Sequence, residues 1–354
     1  MTAPVPRHRP DPPLSEAQHA LQRHLLDGVS RTFALTIPQL PPRLAPVVAN
    51  AYLLCRIVDT IEDEPNLDLE AKARHCAAFV EAVEGHVDPR VFAESLAPRL
   101  SEATLPAEHE LISCTPQVLA ITHVFSGAEQ AALRRCVRIM AEGMVEFQRP
   151  RPHRGLEDMA ELDRYCYHVA GVVGEMLTEL YCIHFPQVAE RRAEMMSLAV
   201  SFGQGLQMTN ILKDIWDDHA RGACWLPRSV FAREGVDLDR LSPAHPEPGF
   251  ARALRHLVGV AHGHLANALR YTQGIPPEQT GIRNFCLWAL GMAVLTLRKI
   301  YANPGFTDGR QVKISRRSVK GTILVSRATA RHNALMWLSF RVAGLGLPLS
   351  RPGP

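Results

Sequence analysis

The sequence predicts an all-α fold. From Ser15 onward, apolar residues recur at helical spacing almost without interruption, and no β-branched run alternates with polar residues as a half-buried strand would. Two stretches, 47–63 and 203–218, also carry narrow polar lines on otherwise apolar or small-residue helices.

In chain order, residues 1–14 hold Pro4, Pro6, Pro10, Pro12 and Pro13 and are expected to be disordered. Ser15 caps a helix predicted through Leu26, and Ser30-Arg31-Thr32-Phe33 opens a short segment that stops at Pro38. The next helix runs from about Leu44 to Glu62, and Pro65 bars its continuation. Amphipathic helices follow at 67–86, 107–123 and 127–148, with a Pro-containing connection near 97–106. After a loop at 149–155, a helix from Asp163 to about His184 contains Gly171 and Gly174. Each internal glycine costs about 1 kcal/mol, so the pair marks close approach of either a second helix or a ligand. On that helix Tyr165, Val169, Val172 and Met176 fall in one line, a phenol at the mouth of an apolar wall. A helix over 187–218 comes next, then a loop at 221–227, a short helix from Arg228 and a turn near 243–248. Helices at 249–273 and 276–302, a basic connection at 312–317 and a last helix over 318–343 complete the chain. No repeat or linker divides it, so 15–349 is expected to form a single domain.

Composition narrows the function classes. Across 354 residues, 46% are hydrophobic and 21% charged, an ordinary globular balance, and a net charge of +3 without basic–aromatic clusters is too small to argue for nucleic acid, so no nucleic-acid partner is expected. Eight scattered cysteines form no Cys-x-x-Cys pair, which argues against a zinc site or a disulfide framework and for a reducing cytoplasm. The basic N-terminus is followed by prolines, so no signal peptide is expected. The apolar segments 285–297 and 334–349 fall short of the roughly 20 residues that span a bilayer. The first reads as a core helix, and the second as core or as a segment resting on a membrane surface.

The chemistry lies in the two polar lines. Gly203, Gln207, Asn210, Asp214 and Asp218 follow at spacings of four, three, four and four, and Tyr52, Arg56, Asp59 and Asp63 at four, three and four. Each line ends in two carboxylates one turn apart, roughly 6 Å along a helix axis, which suits a shared divalent cation. A solvated helix face would give the same pattern for 203–218. The 47–63 helix is apolar on nearly every side, and charges buried there need a partner, a water-filled cavity or an ion. Four carboxylates around one cavity would bind hard metal ions, and those recruit phosphate.

On these motifs the chain resembles the squalene synthases, the head-to-head branch of a family that also contains phytoene and dehydrosqualene synthases. Asp59-Thr60-Ile61-Glu62-Asp63, behind Tyr52 and Arg56, is similar to the family's first acidic motif, and Asp214-Ile215-Trp216-Asp217-Asp218, behind Gln207 and Asn210, to its second. Ser30-Arg31-Thr32-Phe33 resembles the diphosphate-binding segment, and Tyr165-Cys166 with Val169-Ala170-Gly171 the tyrosine-bearing motif. Arg283-Asn284-Phe285-Cys286 and Val312-Lys313-Ile314 resemble the region serving the reductive step. Two positions depart from the pattern: Lys213 replaces an arginine, and Ser315 a basic residue of the nicotinamide-binding segment, with Arg316 and Arg317 adjacent.

The resemblance implies an isoprenoid-synthase-type helical bundle around a central cavity, acting as a monomer on two molecules of farnesyl diphosphate. It implies Mg²⁺ held by Asp59, Glu62, Asp63, Asn210, Asp214 and Asp218, and diphosphate or prenyl contacts from Ser30, Arg31, Phe33, Tyr52, Arg56, Gln207, Asn210, Lys213 and Phe285. Apolar walls would come from Phe33, Val169, Leu206 and Phe285. Tyr165 would steer proton removal, and Lys313, Arg316 and Arg317 would hold NADPH for reduction to squalene, in the absence of any GxGxxG fingerprint. The competing readings are a member that lacks the reductive step and yields presqualene diphosphate, dehydrosqualene or phytoene; a cyclase or chain elongase; and a silent scaffold. A cytoplasmic enzyme, peripheral at the inner face of the membrane, fits a water-insoluble product.

Overall fold

A computed structural model of the protein describes residues 14–30, 32–149, 154–243 and 248–350; the proline-rich 1–13, on which the expectation of disorder falls, and Arg31 lie outside them. Among the described residues every regular element is helical, and the sole β contact is an isolated bridge between Leu156 and Pro227. They form two compact units, 1–35 with 42–141, and 36–41 with 142–354.

The first unit holds α1 (Glu16–Val29), α2 (Ala45–Asp63), α3 (Leu69–Glu84), α4 (Pro89–Leu96), α5 (Pro106–Ser113), α6 (Thr115–Thr122) and most of α7 (Gly127–Phe147). Ser15 and Gln18 cap α1 reciprocally, each side chain accepting from the other's backbone N–H. Twelve of the 19 residues of α2 are buried, as its near-continuous apolar surface requires, and α1, α3, α5 and α6 pack around it. Its end is fixed by Glu64, fully buried, which accepts from Asn66 N, Ser101 N and Thr104 Oγ1. Burial alone would raise that carboxyl, but the hydrogen bonds outweigh it and hold it below the usual range.

The helix expected over 107–123 is in fact two, because Pro116 lacks an N–H and the chain turns at Cys114 (φ −85°, ψ 5°). α4 begins at Pro89 behind an Asp88 cap, in a stretch left unassigned by periodicity.

The second unit holds α8 (Met159–Cys166), a π-helical turn (Tyr167–Gly171), α9 (Val172–His184), α10 (Arg192–Lys213), α11 (Ile215–Ala220), α12 (Pro248–Gly274), α13 (Thr280–Ala302), α14 (Arg316–Thr329) and α15 (Asn333–Ala343). α10 and α12 form its most extensive packing pair, with α13 on α12 and α9 on α10. α13 is 23 residues, longer than its apolar segment suggested. It is the one described helix long and apolar enough to cross a membrane, yet Phe285, Trp288, Val294 and Leu297 are buried among the other helices.

Three expectations are corrected here. The 187–218 helix bends at Asp214 (φ −100°, ψ 13°), which ends α10 and starts α11. The 163–184 helix passes through the π-turn, which adds a residue per turn and so shifts the line drawn from Tyr165 through Val169 to Val172. The last helix breaks at residues 330–332. There the fully buried Arg283 claims the carbonyls of Ala330 (2.8 Å), Ile275 (Nε, 2.8 Å) and Gln273 (3.2 Å), tying the end of α14 to the end of α12.

Candidate active site

In the first unit α2 carries Tyr52, Arg56, Asp59 and Asp63 on one line. Tyr52 is half-buried, its ring 4.9 Å from that of Phe33, and burial raises its phenol pKa. Ser30 Oγ accepts from Phe33 N (3.0 Å), so the turn after α1 is closed by the serine of the Ser30–Phe33 motif. Arg56 lies 3.6 Å from Asp59 and bonds Glu108 Oε1 through Nη2. Asp59 keeps 30% of its side chain exposed, yet the recess pushes its pKa up to about 7. Burial is the main cause; Arg56 opposes it, while Asp63 and Glu108 add repulsion. Asp63 is exposed at the end of the helix, and half-buried Glu62 neighbours Lys72, whose ammonium bonds the Glu62 carbonyl.

Sequence reasoning missed Glu108. It is buried on α5, where its second oxygen accepts from Leu105 N (3.1 Å), a cap that fixes it before it meets Arg56. The signal was present: Leu105-Pro106-Ala107-Glu108 has the spacing of a capping box, although with leucine at the cap.

In the second unit the bend at Asp214 preserves the acidic pair, since Asp218 N still bonds Asp214 O (2.9 Å). Gln207 is half-buried and Asn210 exposed on the same side of α10. Lys213 Nζ stands 3.1 Å from Asp214 Oδ2, and burial raises the Asp214 carboxyl despite that lysine, with Asp217 adding to the rise. Asp218 is buried with Oδ1 2.6 Å from Arg221. Against this motif lies the loop 303–311, between the expected 276–302 helix and the basic connection 312–317, to which sequence reasoning gave no role. Trp216 Nε1 donates to Phe306 O (2.6 Å), and Gly309 approaches the Lys213 carbonyl so closely that a Cβ would sit 3.1 Å from it. Lys313, Arg316 and Arg317, all exposed, thus follow directly from the loop packed on the second acidic motif, with Ser315 capping α14 through Ser318 N (3.1 Å).

Tyr165 is buried, stacked on Trp225 (4.2 Å, 7°) and edge-on to Phe147 (5.3 Å). Val169 and Leu206 are partly buried against the same core, and Phe285 is buried in α13. The two-way reading of the helix glycines resolves to helix packing. A Cβ on Gly174 would meet the Ala199 carbonyl oxygen at 2.4 Å and one on Gly171 the Val200 side chain at 3.3 Å, while on the facing helix one on Gly203 would meet the Ala170 carbonyl oxygen at 2.2 Å.

Beside Tyr165, Asp163 lies 4.0 Å from His264, whose other ring nitrogen pairs with Ser201 Oγ (2.8 Å). Burial lowers His264 to about 4 and raises Asp163 to about 6. A depressed histidine is stabilising above its unfolded pKa of about 6.5 and loses about 3 kcal/mol as pH falls to 4. A raised carboxyl acts oppositely, gaining stability as pH falls from 6 toward 4. The two offset each other in the native protein. His264→Asn should therefore make stability rise between pH 6 and 4, measured as thermal midpoint against pH; an unchanged profile would contradict the assignment.

The family model for squalene/phytoene synthase matches residues 26–318. A probable squalene synthase of Neurospora crassa is 29% identical over 317 residues, covering 88% of this chain and 62% of its own length. The squalene synthase of Gibberella zeae is 30% identical over 318 residues, covering 88% and 64%. The chain thus spans somewhat under two thirds of these relatives. The structure of TcSQS with the ligand BPH1237 superposes with a TM-score of 0.75 at 24% identity, covering 93% of this chain and 91% of that one, a likeness of fold.

Proposed function

Because the chain belongs to the squalene/phytoene synthase family, we propose that it is a prenyltransferase that joins two farnesyl diphosphates head to head into presqualene diphosphate and reduces it to squalene. The observation that carries this reading is the pair of Asp-x-x-x-Asp lines, each with a raised, half-buried carboxyl and an adjacent cation.

Carboxyls that stay raised despite an adjacent cation, with oxygen donors only, fit a hard divalent cation. Asp59 and Asp63, with Glu62, would hold Mg²⁺ on the first unit, and Asp214 and Asp218, with Asn210, on the second. The ion supplies neutralisation of the diphosphate leaving group. The basic first turn of α14 behind the Ser315 cap fits the phosphates of NADPH, which supplies the hydride.

The remaining work falls to the chain's own side chains. Arg56 and Lys213, with Arg31 and Ser30, would hold diphosphate oxygens as the allylic carbon–oxygen bond breaks. Tyr52 and Gln207 would position the head groups. Phe33, Val169, Leu206 and Phe285 would keep water from the allyl cation until the second chain's double bond meets it. Tyr165, fixed by Trp225 and Phe147, would orient the proton lost on cyclopropane closure, with diphosphate as acceptor. The protein would act as a monomer in peripheral contact with a membrane, where squalene can leave.

Product analysis by mass spectrometry after incubation with farnesyl diphosphate and Mg²⁺ tests this. Squalene formed only with NADPH is expected. Presqualene diphosphate or dehydrosqualene irrespective of NADPH would remove the reductive half, and no diphosphate release would remove the reading entirely.

Glu108 gives a finer prediction. Glu108→Gln should lower kcat/KM about tenfold by freeing Arg56, whereas Glu110→Gln on the same helix, whose carboxylate pairs with exposed His24 (2.8 Å), should leave it unchanged.

A further inference from the structure

The C-terminal helices present an unusual outer surface. On α15 only Met336 and Phe340, one turn apart, are buried; the opposite arc shows Leu335, Trp337, Leu338 and Val342 to solvent at 43–61% exposure. Leu345 and Leu349 beyond the helix, and Leu324 on α14, which packs on α15, are exposed as well. Large apolar side chains exposed together along one helix, unlike single scattered ones, mark an interaction surface.

Charge decides what covers it. Residues 309–350 contain eight Arg and Lys and no Asp or Glu, in a chain whose net charge is only +3. Lys320, Arg327, Arg331 and Arg341 are all exposed, Arg341 lying 5.2 Å over the Trp337 ring. A second copy meeting this face with its own would set positive charge against positive. An acidic lipid surface accepts both features, the apolar side chains entering the acyl boundary and the cations its headgroups.

We propose that α14 and α15 form an interfacial docking surface for an anionic bilayer, with Trp337, Leu338 and Val342 inserted and Lys320, Arg331 and Arg341 on the phosphates. This deepens the membrane contact of the proposed function by naming its surface and lipid class. A binding test separates the two, since its failure would leave prenyl chemistry untouched.

The purified full chain is mixed with vesicles of phosphatidylcholine, or of phosphatidylcholine and phosphatidylglycerol in equal parts, and sedimented. Binding to the anionic vesicles alone, released by salt, is expected. Lys320→Gln with Arg331→Gln should weaken it about 30-fold, at about 1 kcal/mol per charge. Trp337→Ser with Leu338→Ser should abolish it while leaving the soluble activity and the thermal midpoint unchanged. All these positions are exposed, and the wild-type salt titration tests the charge contribution without any variant. Equal affinity for both vesicle types would overturn the proposal. So would no binding, or a dimer in solution that the Trp337→Ser, Leu338→Ser variant splits.

Discussion

Asp214→Asn is expected to cut Mg²⁺-dependent diphosphate release at least about 100-fold while leaving the metal-free protein as stable as the native one, or more so. The two effects have one cause. Burial and Asp217 hold the Asp214 carboxyl above its ordinary pKa despite Lys213 at 3.1 Å. A carboxyl whose folded pKa is raised contributes most at low pH and loses stability as pH rises through that pKa. Asparagine removes this loss near neutrality. It also spares the fold, because the bend between α10 and α11 is held by backbone bonds from Asp214 N to Asn210 O and from Asp218 N to Asp214 O, both 2.9 Å. Asp59→Asn should behave alike with a larger gain for the metal-free protein, since that carboxyl stands at about 7. Thermal midpoints with and without Mg²⁺ separate this from a structural role. The native protein should be stabilised by the ion and either variant much less. A variant that melts early without metal and responds to Mg²⁺ normally would show that these aspartates hold the fold instead.

What was legible in the sequence was whatever depends on one helix at a time. α2 revealed its burial because its apolar residues cover nearly the whole circumference, and the acidic pairs revealed themselves because residues four apart share a face. Features that depend on a contact between helices were hidden. Arg283 lies in the stretch that resembles the region serving the reductive step, but no periodicity showed that its guanidinium also closes helix ends, where the helix expected over 318–343 breaks at residue 330. Glu108 is 52 residues from Arg56, and no periodicity links them. The π-turn has no compositional signature, and neither has the close approach of Gly203 to its Ala170. Charge bias near the C-terminus could be counted from the sequence alone, but which apolar residues stay outside could not.

Gly203 offers the sharpest test of that hidden layer. A Cβ there would lie 2.2 Å from the Ala170 carbonyl oxygen and 2.5 Å from its carbon. These are backbone atoms of the π-turn and cannot rotate away, so α10 and the turn must separate. Gly203→Ala is expected to cost about 3 kcal/mol in denaturant unfolding, at the upper end of overpacking penalties. Gly321→Ala makes the same chemical change inside α14, where nothing lies within 4 Å of the added Cβ, and should stabilise by about 0.5–1 kcal/mol through helix propensity alone. The opposite signs follow from the contact. Because α10 carries Gln207, Asn210 and, at its end, Asp214, a shift at Gly203 also moves the second acidic motif, and activity per folded molecule should fall with it. Equal effects of the two substitutions would mean that α10 and the π-turn tolerate separation freely, and that the tyrosine-bearing motif does not fix the height of the acidic pair.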